Sequence, residues 1–123
     1  MKIRVASSMQ FLEQLAVVRT ALEQKGHRVE LPRKDEKEPV SKEQKRKYLE
    51  KLQQEIDSYD LLLVMNYTVE GKRDAIAPTV LLQIGVARYF EKAVFVFGDF
   101  PSEYREELVA LGVQALHGDL TKF

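Results

Sequence analysis

The sequence predicts a three-layer α/β fold: a doubly wound, parallel, five-stranded sheet with helices on both faces. Three observations predict it. Residues 61–65 and 93–97 are apolar runs unbroken by polar residues and too short for ordinary helices, the pattern of strands covered on both faces. Between them, residues 78–91 carry Val80, Ile84 and Ala87 at helical spacing with Leu81 beside them, so the stretch reads strand, helix, strand, the parallel crossover unit. The same alternation on either side accounts for all 123 residues, the length of a single domain, 1–123, with a real core.

Taken in order, residues 3–6 form strand one, followed by the small polar pair Ser7-Ser8. Residues 10–25 are helical. Phe11, Leu15, Val18 and Leu22 mark a buried face, Ser8 or Ser7 serves as N-cap, and Gly26 stops the helix. Residues 27–31 alternate weakly as a short second strand, which Pro32 ends. Residues 33–39 read as a solvated charged linker. Ser41 and Gln44 form a capping box for a helix running to about Ile56, with Tyr48, Leu49, Leu52 and Ile56 as its apolar stripe. Its charges, Lys45, Arg46 and Lys47 among several acids, read as a solvent face. Strand three, residues 61–65, closes on Asn66, and strand four, residues 93–97, closes on Gly98. Asp99-Phe-Pro101 makes a turn. Residues 102–111 form a helix with Glu103, Glu106 and Glu107 where the helix dipole favours acids. Gly112 ends it, residues 113–116 are the last strand, and His117-Gly-Asp119 is a turn.

Right-handed crossovers within one domain give these elements the flavodoxin-like order 2-1-3-4-5. Strands one and three are then neighbours, and ligands gather outside the carboxyl ends of such strands. Ser7, Ser8 and Asn66 are expected to line one crevice there, with the polar loop 66–74 at its edge.

Lysine plus arginine balances aspartate plus glutamate at 19 each, so no general attraction to nucleic acid or to an anionic membrane is expected. There is no cysteine, which excludes disulfides and thiolate chemistry and fits a reducing cytoplasm. The N-terminus enters a strand pattern at once and shows no signal peptide. No apolar run approaches the roughly 18–20 residues of a membrane span. The expectation is a soluble cytoplasmic protein.

The stretch after strand one lacks the glycines that admit a pyrophosphate, and no Walker lysine follows. A conventional NAD or NTP enzyme is therefore not expected, and no cofactor is implied. Ser7 and Ser8 suit either helix capping or holding a phosphate or sugar hydroxyl. In the loop, the Asn66 amide can read a base or sugar edge with both donor and acceptor. Tyr67 can stack on a base, and Glu70, Lys72, Arg73 and Asp74 are polar groups within reach; the alternative is an ordinary solvated loop. Pro78 is a good first residue for the next helix, and Gln83 interrupts its apolar neighbourhood. His27 and His117 form no metal pair by local spacing, and no Ser-His-Asp set is legible. Arg88 is expected at the surface.

Three stretches together resemble the nucleoside 2-deoxyribosyltransferase-like superfamily, which includes the 2′-deoxynucleoside 5′-phosphate N-hydrolases. They are Val5-Ala-Ser-Ser-Met, Ile56-Asp-Ser-Tyr-Asp-Leu-Leu-Leu-Val, and Leu82-Gln-Ile-Gly-Val-Ala-Arg-Tyr-Phe-Glu-Lys-Ala-Val-Phe-Val. The last resembles the family's Glu-x-Gly-x-Ala motif leading into strand four. The closing stretch from Tyr104 to Leu120 resembles a divergent bacterial and archaeal branch. The resemblance implies a retaining two-step mechanism in which the motif glutamate attacks the anomeric carbon. That position holds Gln83, with Gly85 and Ala87 completing the pattern. A neutral amide is a poor nucleophile, so the resemblance implies a pocket without family catalysis. The expected ligand is a small-molecule nucleoside or nucleotide, held by Ser7, Ser8, Asn66, Tyr67 and Gln83. The first alternative is an N-glycosidase or deoxyribosyltransferase with a relocated acid, Asp74, Glu70 or Asp99. The second is a structural or interaction domain with a vestigial crevice. A homo-oligomer is implied by the resemblance alone.

Overall fold

The computed structural model describes residues 1–32 and 38–123. The order of elements is β1 (Lys2–Ala6), α1 (Leu12–Gln24), β2 (Arg28–Glu30), α2 (Lys42–Gln54), β3 (Leu61–Val64), α3 (Pro78–Tyr89), β4 (Ala93–Val96), α4 (Arg105–Ala110) and β5 (Gln114–Ala115). All strand pairs are parallel, in the order β2-β1-β3-β4-β5. This is the order that right-handed crossovers predict, with β1 beside β3.

The alternation of side chains along each strand builds two cores. Ile3, Val5, Leu61, Leu63 and Phe95 point to one face, where Leu15, Val18 and Leu22 of α1 cover them. Leu62, Val64, Val94 and Val96 point to the other, against Val80, Ile84 and Ala87 of α3 and Leu108 of α4. Strands buried on both faces have no polar side to show, which is why residues 61–65 and 93–97 are continuous apolar runs. The register sets Ala6 opposite Val64 and Val64 opposite Val96, so β1, β3 and β4 end level with one another.

Local chemistry explains most boundaries. The capping box at α2 forms: Ser41 Oγ accepts the N–H of Gln44, and the Gln44 side chain accepts the N–H of Ser41. Pro78 opens α3 as its first residue. Gly26, at φ +91°, carries the chain out of α1.

Several expectations need correction. A 3-10 turn, Met9–Phe11, precedes α1, and Ser8 stands at its N-cap without a side-chain capping bond. Ser7 does not cap either, because its hydroxyl donates to the carbonyl of Met65 at 2.9 Å. The expected helix 102–111 is a 3-10 turn, Ser102–Tyr104, followed by the short α4. The expected strands 27–31 and 113–116 are trimmed to three and two residues, the lengths over which regular ladder pairing runs, though Leu116 N–H still donates to Val96 at 2.9 Å. Arg88 is half-buried, not at the surface. Its guanidinium donates to the carbonyls of Leu111 (2.6 Å) and Lys92 (2.9 Å), fastening the end of α3 to the turns before β4 and β5. Most of the expected linker, residues 33–37 of 33–39, lies outside the described residues.

Candidate functional site

The level strand ends organise what lies beyond them. One residue past Ala6, Val64 and Val96 come Ser7, Met65 and Phe97. Two past come Ser8, Asn66 and Gly98. Backbone pairing persists for that first step: Met65 N–H donates to Ala6 at 2.9 Å and Phe97 N–H to Val64 at 2.8 Å. The crevice floor is therefore an extension of the sheet, as expected at a switch point.

Two hollows open there. The larger, about 370 Å³, runs between the start of α1 and the β3–α3 loop and is lined by Ser7, Ser8, Phe11, Tyr67 and Glu70 among others. It falls in the size range of small-molecule sites, about 300–1,000 Å³. The smaller, about 90 Å³, lies between β1, α2 and α3 and is lined by Arg4, Ser7, Glu38, Tyr48, Thr79 and Gln83 among others. It has room for a few waters, or for one edge of a sugar ring. Ser7 and Val80 line both hollows and form the partition.

The larger hollow has an aromatic wall. The Tyr67 ring sits 4.7 Å from that of Phe11 and 6.0 Å from that of Phe97, tilted to both. Burial pushes the Tyr67 phenol above its ordinary pKa, so its hydroxyl is a donor throughout the neutral range. At the rim, the Lys72 ammonium is bound to Glu103 at 2.6 Å, and that hydrogen bond raises its pKa.

In the smaller hollow Arg4, only 8% exposed, is engaged through Nη2. Its guanidinium bridges Glu30 (3.0 Å) and Glu55 (3.1 Å), donates to Ser58 Oγ (3.2 Å) and lies 4.8 Å above the Tyr59 ring. Glu38 Oε1 accepts from the Thr79 hydroxyl at 3.3 Å. Thr79 and Gln83 stand one turn apart on α3, beside the Val80–Ile84–Ala87 stripe that faces the sheet. The half-buried Gln83 side chain has no hydrogen-bond partner among the described residues.

The structure thus distributes the expected site residues. Ser7, Ser8, Tyr67 and Glu70 share the larger hollow. Gln83 shares the smaller one with Ser7. Asn66, expected to read a ligand, is 2% exposed and lines neither hollow. Its amide donates to the carbonyls of Asp74 (3.4 Å) and Asp99 (2.7 Å) and accepts the N–H of Gly98 (2.7 Å). Asp74 and Asp99 line a different depression, with Arg73 and Glu103. His117 is exposed past β5, and His27 lies at the opposite end of the sheet with Nδ1 buried and unpartnered. Arg4, Glu38 and Tyr48 escaped the sequence reading. A charged residue at an inward position of an apolar strand marks Arg4. Nothing local marks Glu38, which the chain path brings to α3.

Fold and crevice together define a class: a doubly wound parallel α/β fold of flavodoxin-like order, with paired hollows at the switch point of its sheet. No family model matches the chain, and no curated protein matches it. Among solved structures it is similar to the CMP N-glycosidase BcmB of Clostridium botulinum, with a TM-score of 0.56 and 18% identity over 94% of this chain and 86% of that one. At that identity the likeness establishes the shared fold.

Proposed function

We propose that the chain, as a single domain, is a divergent member of the nucleoside 2-deoxyribosyltransferase-like superfamily that binds a nucleoside or nucleotide without the glutamate-nucleophile reaction. One observation carries this reading. Gln83, at the nucleophile position by the motif resemblance, lines a hollow that Ser7 also lines, with its amide unpartnered among the described residues. An amide there can hydrogen-bond a sugar, but it cannot form the glycosyl ester or supply charge to an oxocarbenium centre. The aromatic wall of Phe11 and Tyr67 suits a base, and the Ser7–Val80 partition suits the sugar between them. The structural neighbour is by name an N-glycosidase of CMP, which supports a ligand of this class. The resemblance also supports a homo-oligomer, and the absence of cysteine fits a cytoplasmic setting.

Isothermal titration with nucleosides and their monophosphates tests the reading. Saturable heat with at least one of them, and no base released on prolonged incubation, is expected. No heat with any of them overturns it.

A second reading, an N-glycosidase with a relocated acid, is supported by the placement of Glu70 in the larger hollow. Of the three acids considered, it alone lines either hollow. Base release by the natural chain that disappears in Glu70→Gln decides for this reading.

A further inference from the structure

We infer that Glu38 sets the sugar specificity of the site, accepting the vicinal 2′- and 3′-hydroxyls of a ribose in the smaller hollow. This rests on the nucleoside-binding reading and deepens it.

The argument starts from charge. Among the described residues lining the hollow, the carboxylates Glu30, Glu38 and Glu55 outnumber the cations Arg4 and Lys51. Glu30 and Glu55 are committed to Arg4. A carboxylate not committed to a cation favours a group rich in hydroxyl donors. Glu38 is the carboxylate with capacity to spare. A carboxylate offers about four acceptor positions, and the Thr79 hydroxyl fills one of them.

Geometry supplies the rest. The Glu38–Thr79 contact, at 3.3 Å, sets the exposed Glu38 carboxylate beside the first turn of α3, where Thr79 stands one turn, roughly 6 Å along the axis, from Gln83. Gln83 presents a free donor and a free acceptor into the same hollow. Ser7 Oγ donates to the Met65 carbonyl, which leaves its acceptor capacity free in the lining of the hollow. A sugar edge entering here meets acceptors at Glu38 and Ser7 and a mixed group at Gln83. Two adjacent hydroxyls of a ribose donate together to one carboxylate, as acidic residues do at dinucleotide sites. A 2-deoxyribose offers one donor and leaves part of the carboxylate to water. The hollow's size suits a sugar edge and not a base, which places the base in the larger hollow beyond Val80.

The test is calorimetric titration of the full chain with the four common ribonucleosides and their 2′-deoxy counterparts. At least one ribonucleoside is expected to bind about tenfold more tightly than its deoxy partner, the effect of one charge-assisted hydrogen bond at a partly exposed site. Glu38→Gln and Glu38→Ala bring that ratio to about one by weakening the ribonucleoside more than its deoxy partner, which loses only the 3′-hydroxyl bond, with the Tm unchanged. Equal affinity for the two sugars in the natural chain overturns the assignment, as does a variant that weakens both alike. Failure of every nucleoside and monophosphate to bind overturns the underlying reading as well, so the two failures are distinct.

Discussion

The side-chain oxygen of Asn66 accepts the N–H of Gly98 at 2.7 Å, joining the residues that stand two places beyond the level ends of β3 and β4. The same amide donates to the carbonyls of Asp74 and Asp99. One side chain thus satisfies three backbone groups from two segments, the loop at Asp74 and the turn at Gly98-Asp99, at the crevice end of the sheet. Asn66→Ala leaves those groups without their partner in a place nearly closed to water, and each such group costs about 1–3 kcal/mol. A loss of about 3 kcal/mol is expected in urea unfolding, the three not adding in full. Asn66→Asp keeps the bond to Gly98 but sets a carboxylate against two carbonyls, so it restores none of the loss.

Gly98 is constrained by space. A Cβ built there runs into the Asp74 carboxylate and comes within 3.3 Å of Asn66 Oδ1. Gly98→Ala is expected to destabilise by about 1–3 kcal/mol through this overpacking. Asp74→Ala in the same chain removes the first obstacle and recovers part of the loss. Full additivity in that double-mutant cycle refutes the contact as the cause.

Arg4 ties β1 to β2 and to the end of α2 through Glu30 and Glu55. The arginine is the buried member, while the carboxylates keep 51% and 33% of their side-chain surface exposed. Losses are therefore unequal. Arg4→Ala removes the ion pairs, the contact with Tyr59 and the packing of its stem, at a cost of about 2–3 kcal/mol. Glu30→Gln costs about 1 kcal/mol or less, because Glu55 still compensates the guanidinium. Chemical denaturation of the two variants checks the asymmetry.

Tyr59 and Tyr67 predict an alkaline limb. Burial raises both phenols above their ordinary range, and at Tyr59 Glu55 and Glu30 add to it while Arg4 opposes. The unfolded chain then loses these protons first as pH rises. The stability they contribute is complete below about pH 10 and declines as pH climbs toward the folded values. Urea midpoints flat near neutrality and falling above about pH 10 are expected, with Tyr59→Phe flattening the fall. A Tyr59→Phe profile that superimposes on the natural one excludes burial of that phenol as a cause.

Gln83→Glu tests the chemistry directly. With a carboxylate at the motif position, slow release of free base is expected from whichever nucleoside or nucleotide binds the natural chain, measured by chromatography against that chain. Undiminished binding with no release shows that position 83 does not face the anomeric carbon.

Much of the fold was legible in the sequence. The runs 61–65 and 93–97, the Val80–Ile84–Ala87 stripe and the Ser41/Gln44 capping box are local patterns, set by the periods of strand and helix and by residues three or four apart. Their order and a right-handed crossover then left one economical sheet. The site was legible in part. Ser7, Ser8 and Tyr67 follow strands whose ends could be counted, and they do meet at one hollow. Asn66 looked like a ligand group because a polar residue after a strand usually faces the crevice. It is drawn aside by Gly98 and Asp99, which lie 32 and 33 residues on. Arg88 turned inward for the same kind of reason, drawn by a carbonyl 23 residues away.

What the residues alone determined is the sequence of strands and helices and the presence of an amide, Gln83, in the apolar neighbourhood of the third helix. Tertiary structure decided where each polar side chain spends its hydrogen bonds. It split the crevice at Ser7 and Val80, set Asp74 and Asp99 in a separate depression, and brought Glu38 to Thr79 across 41 positions. The division has a physical cause. Apolar burial needs only a face and a period, which a short segment already contains. A hydrogen bond needs a particular partner at about 3 Å, and that partner is supplied by the register of the sheet and the path of distant loops.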